Sequence, residues 1–317
     1  MNYLSVCSGI EAASVAWEPL GWKAIGFSEI ETFPCSVLAH RFPKVKNYGD
    51  LTRFEEWDIN ETVDLLVGGT PCQSFSIAGL RGGLEDSRGN LALVYCRILQ
   101  KFQPRWFVWE NVPGVLSSNG GRDFGSILGA MVELGYGVAY RVLDAQYFGV
   151  PQRRRRVFVV GCLGNWQRAA AVLFEPGCVS GDSQKGKDEK RDVAGTIGAR
   201  TCRSVGAQDA DCGHLIASPL FFDRQSSCEW GTAPRCSTIS ARDHKSASDL
   251  IVCSGVRRLT PRECERLQGF PDDWTLVPHR NKPAADGPRY KAIGNSFAVP
   301  VVRWIGERIE LSEKGLL

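Results

Sequence analysis

Strand and helix patterns alternate along the first half of the chain, and this order constrains the fold more than any other feature. Short apolar runs predict strands, and segments with helical spacing lie between them. Because strands joined through helices become parallel neighbours, the order predicts an α/β fold with a parallel, doubly wound sheet. The predicted strands are 3–6, 23–27, 63–67, 106–109, 138–142 and 156–160, and the predicted helices are 10–20, 87–100 and 126–134.

The pattern changes near residue 163. From there to about 255 the chain has short strand-like fragments and many serine, glycine and cysteine residues. The units 196–200 and 238–242 are similar, so Arg200 and Arg242 are presented either by two related hairpins or by chance similarity. Helical order then returns at Thr260, which predicts a capped helix that Gly269 ends, and again at 298–311.

Composition excludes several classes of protein. The 317 residues are 43% hydrophobic, which is enough for about two domains. The net charge of +3 is close to neutral, so charge alone gives no sign of nucleic-acid binding, which would have to depend on local patches. No apolar run is long enough for a membrane span, and the N-terminus has no signal-peptide pattern.

The twelve cysteines are scattered without a CxxC pair, which favours reduced thiols inside a cell. Four of them lie near His214, but their spacing matches no compact zinc motif, so we expect no metal site. They are Cys202, Cys212, Cys228 and Cys236.

Cys72 is the strongest candidate for chemistry. It follows an apolar strand, a Gly-Gly turn and Pro71, which fixes the backbone just before the thiol. Open α/β folds place their chemistry at this edge of the sheet. The glycine-rich segment 79–84 comes next and is suited to closing over a substrate. A buried, inert cysteine is the alternative.

Two further groups fit a thiolate nucleophile. Glu110 and Asn111 end the strand 106–109, where a carboxyl group can be desolvated and kept protonated as an acid for a ring nitrogen. In the run 153–156, Arg154 and Arg156 share one face of a strand and suit carbonyl or phosphate oxygens. A helix-start acid and a solvated basic edge are the corresponding alternatives.

The first strand is followed by a turn that can receive a nucleoside. Gly9 opens a helix, and Glu29 lies twenty residues later at the end of the second strand, where nucleoside-binding folds place an acid against ribose hydroxyls. Glu11 stands where a second glycine would help, which disfavours a dinucleotide pyrophosphate. Asp50 could receive an adenine amino group. An ordinary turn with a solvated aspartate remains open.

These residues resemble the ordered motifs of DNA cytosine-C5 methyltransferases of the bacterial and phage type. The resemblance covers the chain except about 163–255. The chain departs from the family pattern in three places. The first motif lacks the usual Asp-Leu-Phe before its glycine and has Glu11 and Ala12 where two glycines are usual, and Ile30 stands where a tryptophan often stacks on adenine. The recognition region is short and carries no motif that indicates a target sequence. The matching blocks are Ser8-Gly9, Pro71-Cys72-Gln73, Glu110-Asn111-Val112, Gln152 with Arg153 to Arg156, Arg258 to Glu263 with Leu267 to Pro271, and Gly294-Asn295-Ser296.

The resemblance implies a mechanism and a cofactor. Cys72 would attack C6 of a flipped-out cytosine, Glu110 would hold N3 and the 4-amino group, and Asn111, Arg154 and Arg156 would support the site. S-adenosylmethionine would supply the methyl group. Its implied binding residues are Ser8, Gly9, Ile10, Glu29, Ile30, Asp50, Leu51, Pro71, Asn295 and Ser296. The candidate DNA contacts are Gln73, Ser76, Arg88, Arg200 and Arg242.

The resemblance also implies the organisation and partners. A Rossmann-like catalytic domain would comprise 1–162 and 285–317, and a smaller, strand-rich target-recognition domain would comprise 163–284. The expected partner is double-stranded DNA, read at base edges in the major groove. We expect a monomer in the bacterial or phage-infected cytoplasm, with a cognate restriction endonuclease as a possible functional partner and no membrane.

Three other functions are compatible with parts of the sequence. An RNA cytosine methyltransferase could use the same catalytic residues, but the sizeable region 163–255 favours reading a duplex. A catalytically silent DNA-binding protein would be expected to lack Cys72 or Glu110. A nicotinamide oxidoreductase would share the sheet, but Glu11 and the Pro71-Cys72 segment argue against it.

Overall fold

The computed structural model describes most of the chain and is built around one six-stranded sheet. The described residues are 1–71, 91–175 and 256–317, together with the strands Leu220–Arg224, Trp230–Ala233 and Asp249–Val252. The strands of the main sheet are β1 (Asn2–Val6), β2 (Lys23–Ser28), β3 (Leu65–Gly68), β4 (Trp106–Asn111), β5 (Tyr136–Asp144) and β6 (Arg155–Leu163).

The strand order is β2-β1-β3-β4-β6-β5. Strands β2, β1, β3 and β4 pair in parallel with one another, and β6 is antiparallel to both β4 and β5. The predicted α/β, doubly wound class is confirmed, but the prediction that every strand is parallel is wrong for β6. The short connection between β5 and β6, with a single helical turn at Ala145–Tyr147, cannot carry the chain back to the other end of the sheet.

Side chains alternate between two buried cores, one on each face of the sheet. Along β1, Tyr3 faces the first core and Leu4 the second; along β4, Trp106 and Val108 face the first, and Phe107 and Trp109 the second. Every one of these aromatic rings is at most 2% exposed. This double covering explains why the strands read as nearly continuous apolar runs.

Helices cover both faces and extend the prediction. The helices are α1 (Ala12–Trp17), α2 (Thr32–Arg41), α3 (Leu91–Phe102), α4 (Arg122–Glu133), α5 (Trp166–Leu173), α6 (Pro261–Gln268), α7 (Asp286–Asn295) and α8 (Val299–Glu313). The predicted helices at 10–20, 126–134 and 298–311 are present with shifted ends, and α3 is the described part of the predicted helix 87–100. Helices α2, α5 and α7 were not predicted.

Helix α6 forms as its sequence predicts. Thr260 caps it through a reciprocal capping box with Glu263, and Pro261 occupies the first turn, where its missing N–H costs nothing. Gly269 ends it with a φ of 82°, a left-handed conformation that suits glycine. The helix is therefore fixed at both ends by local sequence.

The strand-rich character predicted for the middle of the chain is also present. Four strands form a second, antiparallel sheet: β7 (Leu220–Arg224), β8 (Trp230–Ala233), β9 (Asp249–Val252) and β10 (Val256–Arg258). Their order in the sheet is β10-β9-β7-β8. A final two-stranded pair is β11 (Pro278–His279) with β12 (Lys282–Pro283).

The first core crosses the predicted domain boundaries. It contains Ala169 and Leu173 from α5, Leu267 from α6 and Val277, all of which fall within 163–284, beside residues of the sheet. The domain division stays a prediction, and the packing does not change at 162 or 284. Within the described ranges, no helix is both long and apolar enough to cross a membrane.

Candidate active site

A cavity of about 430 Å³ opens at the carboxyl ends of β1 to β4, with the segment before α8 closing one side. This is the edge at which open α/β sheets bind ligands. Eleven of the predicted site residues line it. They are Gly9, Glu29, Ile30, Asp50, Leu51, Pro71, Glu110, Asn111, Arg154, Arg156 and Asn295.

Glu110 forms an ion pair with Arg156 inside this cavity. Arg156 Nε lies 3.1 Å from Glu110 Oε1, and the two side chains are 17% and 12% exposed. Burial raises the pKa of the Glu110 carboxyl, and the nearby cations of Arg156 and Arg154 partly offset this. Gly69 lets the carboxyl approach the end of β3, because a Cβ atom there would lie 2.9 Å from Glu110 Oε2.

The segment that leads to Cys72 is held by two side chains of β4. Asn111 Nδ2 donates a hydrogen bond to Thr70 O (3.1 Å), and Trp109 Nε1 donates one to Thr70 Oγ1 (3.0 Å). Asn111 Oδ1 in turn accepts from the Val112 N–H (2.9 Å). Thr70 and Asn111 are each 3% exposed, so these bonds hold the backbone before Pro71 in a site with little water.

Arg154 binds the backbone of the C-terminal segment. Its Nη2 donates to Ser296 O (2.6 Å) and Gly294 O (3.2 Å), and the residue is 3% exposed. Burial lowers its pKa to about 9, with the positive charge of Arg156 acting in the same direction, so the group stays cationic at neutral pH. The guanidinium therefore fixes Asn295 between two tethered carbonyls, whereas the sequence analysis gave it a supporting catalytic role.

Two buried glutamines hold the same region. Gln268 Nε2 donates to Ile293 O and Gln152 Nε2 donates to Leu267 O, each at 3.0 Å. Both residues are fully buried. Gln268 and Arg154 attach residues 293–296 to α6 and to the segment just before β6, and Gln152 attaches that segment to α6. Asn295 thereby lies in the wall of the cavity.

Glu29 fixes the turn after β1. Its Oε2 accepts from the Gly9 N–H (2.8 Å), and its Oε1 accepts from the Ile30 and Glu31 N–H groups (2.8 and 2.7 Å). Gly9 has a φ of 57°, which suits glycine. The carboxylate thus joins the ends of β1 and β2 beside the cavity.

Asp50, Leu51 and Ile30 form another part of the wall. Asp50 Oδ1 accepts from Thr52 N and Oγ1 (2.9 and 2.8 Å), so Asp50 caps the short helix Leu51–Glu56. Ile30 is 69% exposed, an unusual position for a large aliphatic side chain, and Leu51 is buried. A carboxylate, an apolar side chain and fixed backbone groups are therefore available on one side of the cavity.

Some predicted residues lie elsewhere. Ile10 is fully buried, Ser8 Oγ turns back to Ser5 O (2.9 Å), and Ser296 contributes its carbonyl to Arg154, so none of the three lines the cavity. The predictions for Cys72, Gln73, Ser76, Arg88, Arg200 and Arg242 fall outside the described residues, as does the cysteine group around His214. The roles of all these residues stay predictions.

The sequence analysis missed other wall residues. Most of them are sequence neighbours of predicted residues at the same strand ends, and this proximity could have identified them. Leu91 and Ala292 have no such neighbour. In the part of the chain that the structure describes, no group of three or more histidine, cysteine or acidic residues is arranged to hold a metal. The missed residues are Cys7, Ser28, Glu31, Pro34, Gly49, Gly69, Thr70, Leu91, Val112, Ala292 and Gly294.

Comparison with known families decides what this site belongs to. The sequence model of C-5 cytosine-specific DNA methylases matches residues 1–199 and 217–311. The chain belongs to this family. The predicted resemblance is therefore confirmed over nearly the whole chain.

Individual relatives agree at the level of sequence. The Type II methyltransferase M.SsoII of Shigella sonnei is 35% identical over 82% of this chain and 67% of its own length. A protein of Escherichia phage P1 named DNA N-6-adenine-methyltransferase is 36% identical over 97% of this chain. The match covers 61% of the phage protein's own length.

Solved structures agree at the level of fold. A DNA modification methyltransferase encoded within a prophage of E. coli has a TM-score of 0.63 at 22% identity and covers 98% of each chain. The S. pombe Dnmt2 methyltransferase has a TM-score of 0.66 at 18% identity and covers 99% of each chain. At these identities the likeness shows a shared fold.

Proposed function

We propose that this chain transfers a methyl group from S-adenosylmethionine to C5 of a cytosine within a short sequence of duplex DNA. The observation that carries the proposal is one cavity that holds the Glu110–Arg156 pair, the end of the Thr70-Pro71 segment and the Glu29–Gly9 turn. Membership of the cytosine methylase family supports the reaction type. The proposal extends to this chain's own residues.

The described residues fit the cofactor. The cavity offers a carboxylate at the end of β2, a second carboxylate at Asp50 and the exposed aliphatic side chain of Ile30, which suit ribose hydroxyls, an amino group and an adenine face. Asn295 would complete the pocket. When bound, S-adenosylmethionine supplies an electrophilic methyl group.

Cys72 would act as the nucleophile. Its thiolate attacks C6 of cytosine, and Glu110 holds and protonates N3, so that negative charge does not build up on the ring and C5 becomes nucleophilic. Burial favours the protonated form of Glu110, as this role requires. After methylation, the C5 proton is lost, the thiolate is eliminated and N3 returns its proton to Glu110, which restores both side chains and leaves 5-methylcytosine.

Arg156 would orient Glu110 and contact the base carbonyl at O2. Its Nε pairs with Glu110 and its Nη1 donates to Arg155 O (2.8 Å), and a guanidinium with five donors can also take a further acceptor. Asn111 and Trp109 hold the backbone immediately before Cys72, so the nucleophile is positioned by residues of the same strand end as the acid. Attack on a ring face requires the cytosine to leave the base stack, so the base would be flipped into the cavity.

The finer organisation is part of the same proposal. Residues 163–284 would carry target recognition, with Arg200 and Arg242 as contacts to base edges or phosphates and Gln73, Ser76 and Arg88 as contacts near the flipped base. The enzyme would act as a monomer in the cytoplasm of a bacterial or phage-infected cell. It would protect DNA against a cognate endonuclease where one is encoded.

The test is methylation of defined nucleic acids by the purified protein. Duplex DNA and tRNA are incubated with labelled S-adenosylmethionine, digested to nucleosides and analysed by mass spectrometry, and modified DNA is sequenced at base resolution. We expect 5-methylcytosine in DNA within one short motif. N6-methyladenine, the product that the phage P1 relative's name suggests, would refute the proposed chemistry, and 5-methylcytosine only in tRNA would refute the substrate.

The nucleophile is tested by Cys72→Ala, with Cys162→Ala as the matched control. Cys162 is a free, buried thiol at the opposite end of β6 from Arg156. We expect Cys72→Ala to lose turnover while it still binds S-adenosylmethionine, and Cys162→Ala to retain turnover. Methylation by Cys72→Ala at more than about 1% of the normal rate would contradict the covalent mechanism.

A further inference from the structure

Glu11 has a buried carboxyl group that the proposed reaction does not use, although it lies in the turn after β1 beside the cavity. It is 1% exposed and adopts a left-handed backbone conformation with a φ of 61°. This conformation is strained for residues other than glycine, and a glutamate there must gain something through its side chain. Its position, just before α1, is the N-cap of that helix.

The Glu11 carboxyl group is saturated with hydrogen bonds from two elements. Ser5 Oγ in β1 donates to Oε1, and Ser14 donates to Oε2 through both its hydroxyl group and its N–H, the latter at 3.1 Å. Tyr3 Oη extends the network to Ser14 Oγ at 2.6 Å. The carboxyl group therefore joins the end of β1 to the first turn of α1, beneath the turn 7–10.

The turn 7–10 has its other side on the cavity. Cys7 and Gly9 line the cavity, and the turn closes on itself through the Glu11 N–H, which donates to Ser8 O at 3.0 Å. On its outer side the Gly9 N–H donates to Glu29 Oε2, and Trp274 Nε1 donates to Ile10 O, at 2.8 Å each. The turn is thus fixed from below by Glu11 and from the sides by Glu29, which follows β2, and by Trp274 of the C-terminal region.

We propose that Glu11 is a positioning residue for S-adenosylmethionine, which holds the turn 7–10 in the shape that the cofactor contacts. The inference rests on the proposed cofactor site and goes beyond it by assigning a role to a residue that replaces a usual glycine. The required property is a hydrogen-bond acceptor of this length for Ser14, with a polar partner for Ser5. Negative charge is not required, since the donors are neutral.

Three substitutions separate these properties. Glu11→Ala removes the acceptors, Glu11→Gly removes them but also relieves the backbone strain, and Glu11→Gln keeps the length and the bonding. Glu18→Ala is the matched control, because Glu18 is exposed at the far end of α1. The dissociation constant for S-adenosylmethionine is measured by calorimetry, and KM for the cofactor, KM for DNA and kcat are measured by methyl transfer.

We expect Glu11→Ala and Glu11→Gly to raise the dissociation constant and KM for S-adenosylmethionine about tenfold or more, with kcat and KM for DNA within about threefold of the parent. Glu11→Gln and Glu18→Ala should stay within about threefold in every parameter. A general folding defect would lower kcat and would not be rescued by glutamine. If Glu11→Ala does not fold, Ser5→Ala, which removes one donor, should raise the dissociation constant about fivefold or more, outside the threefold range of the controls.

The outcomes distinguish this inference from the proposed function. Normal cofactor binding by Glu11→Gly would overturn the positioning role while leaving the methyltransferase proposal intact. A parent protein that does not bind S-adenosylmethionine would overturn both. Tight binding by the parent and weak binding by Glu11→Gly would support the positioning role even if the methylated base proved to be different.

Discussion

Replacing Glu11 with glutamine is expected to change how the stability of the protein depends on pH. Burial raises the pKa of the Glu11 carboxyl from its ordinary value of 4.5 to about 6, and the hydrogen bonds from Ser14 and Ser5 partly offset the rise. The folded protein then binds this proton more tightly than the unfolded chain. The stability from this carboxyl is therefore complete below pH 4.5 and is lost as the pH rises through about 6.

The magnitude follows from the two pKa values. The interval from 4.5 to about 6 corresponds to about 2 kcal/mol of unfolding free energy at about 1.4 kcal/mol per pH unit. Of this, about 1 kcal/mol falls between pH 5 and pH 7.5. Glutamine cannot titrate, so Glu11→Gln should gain about 1 kcal/mol relative to the parent over that interval.

Urea unfolding followed by tryptophan fluorescence measures this difference at half-unit steps of pH. Subtracting the parent from the variant cancels the titration of all other groups, which is unaffected by the substitution. Glu18→Gln serves as the exposed control and should give a difference that varies by less than about 0.5 kcal/mol. A flat difference for Glu11→Gln would refute the raised pKa, and a difference that falls with pH would mean that the fold favours the carboxylate.

Two further substitutions test the site and the sheet. Arg156→Ala should lower kcat about 100-fold or more with cofactor binding unchanged, because Glu110 loses its ion-pair partner. Arg155→Ala, on the other face of β6, should leave kcat unchanged, and equal kcat values for the two variants would contradict the role of Arg156. Gly161→Ala would place a Cβ atom 2.0 Å from Phe107 Cε1 and should lower the free energy of unfolding in urea by about 3 kcal/mol. Gly114→Ala is the control, because its Cβ atom meets no atom within 4 Å. A decrease below about 1 kcal/mol for Gly161→Ala would contradict the packing at this position.

The sequence predicted the parts of the fold that depend on local pattern. Strands β1, β3, β4 and β6 were found because they are short apolar runs that are buried on both faces, and helix α6 was found because its cap, its proline and its terminal glycine are all local signals. Helix α7 was missed because it contains Gly287, Pro288 and Gly294, which lower helix propensity. It forms through packing with α6 and through contacts that sequence spacing does not reveal.

The candidate site was predicted to a similar depth. Residues at strand ends, such as Glu29 and Glu110, could be assigned to one edge because parallel strands place their carboxyl ends together. The hydrogen bonds of Arg154 could not be predicted, because its partners are backbone carbonyls about 140 residues away in the sequence. Glu11 was noted only as a poor fit for a glycine position, since its bonds to Ser5 and Ser14 require the turn to be folded.

The attachment of the C-terminal segment has a consequence for when the protein can act. Asn295 reaches the cavity only after residues 293–296 bind Arg154 and Gln268, and α8 then packs on α1, where Trp17 Nε1 donates to Val302 O at 3.0 Å. During synthesis, the sheet emerges from the ribosome long before these residues do. A nascent chain, like a product truncated before residue 293, would therefore lack one wall of the cavity, and under the proposed function it would be inactive until the last residues are made.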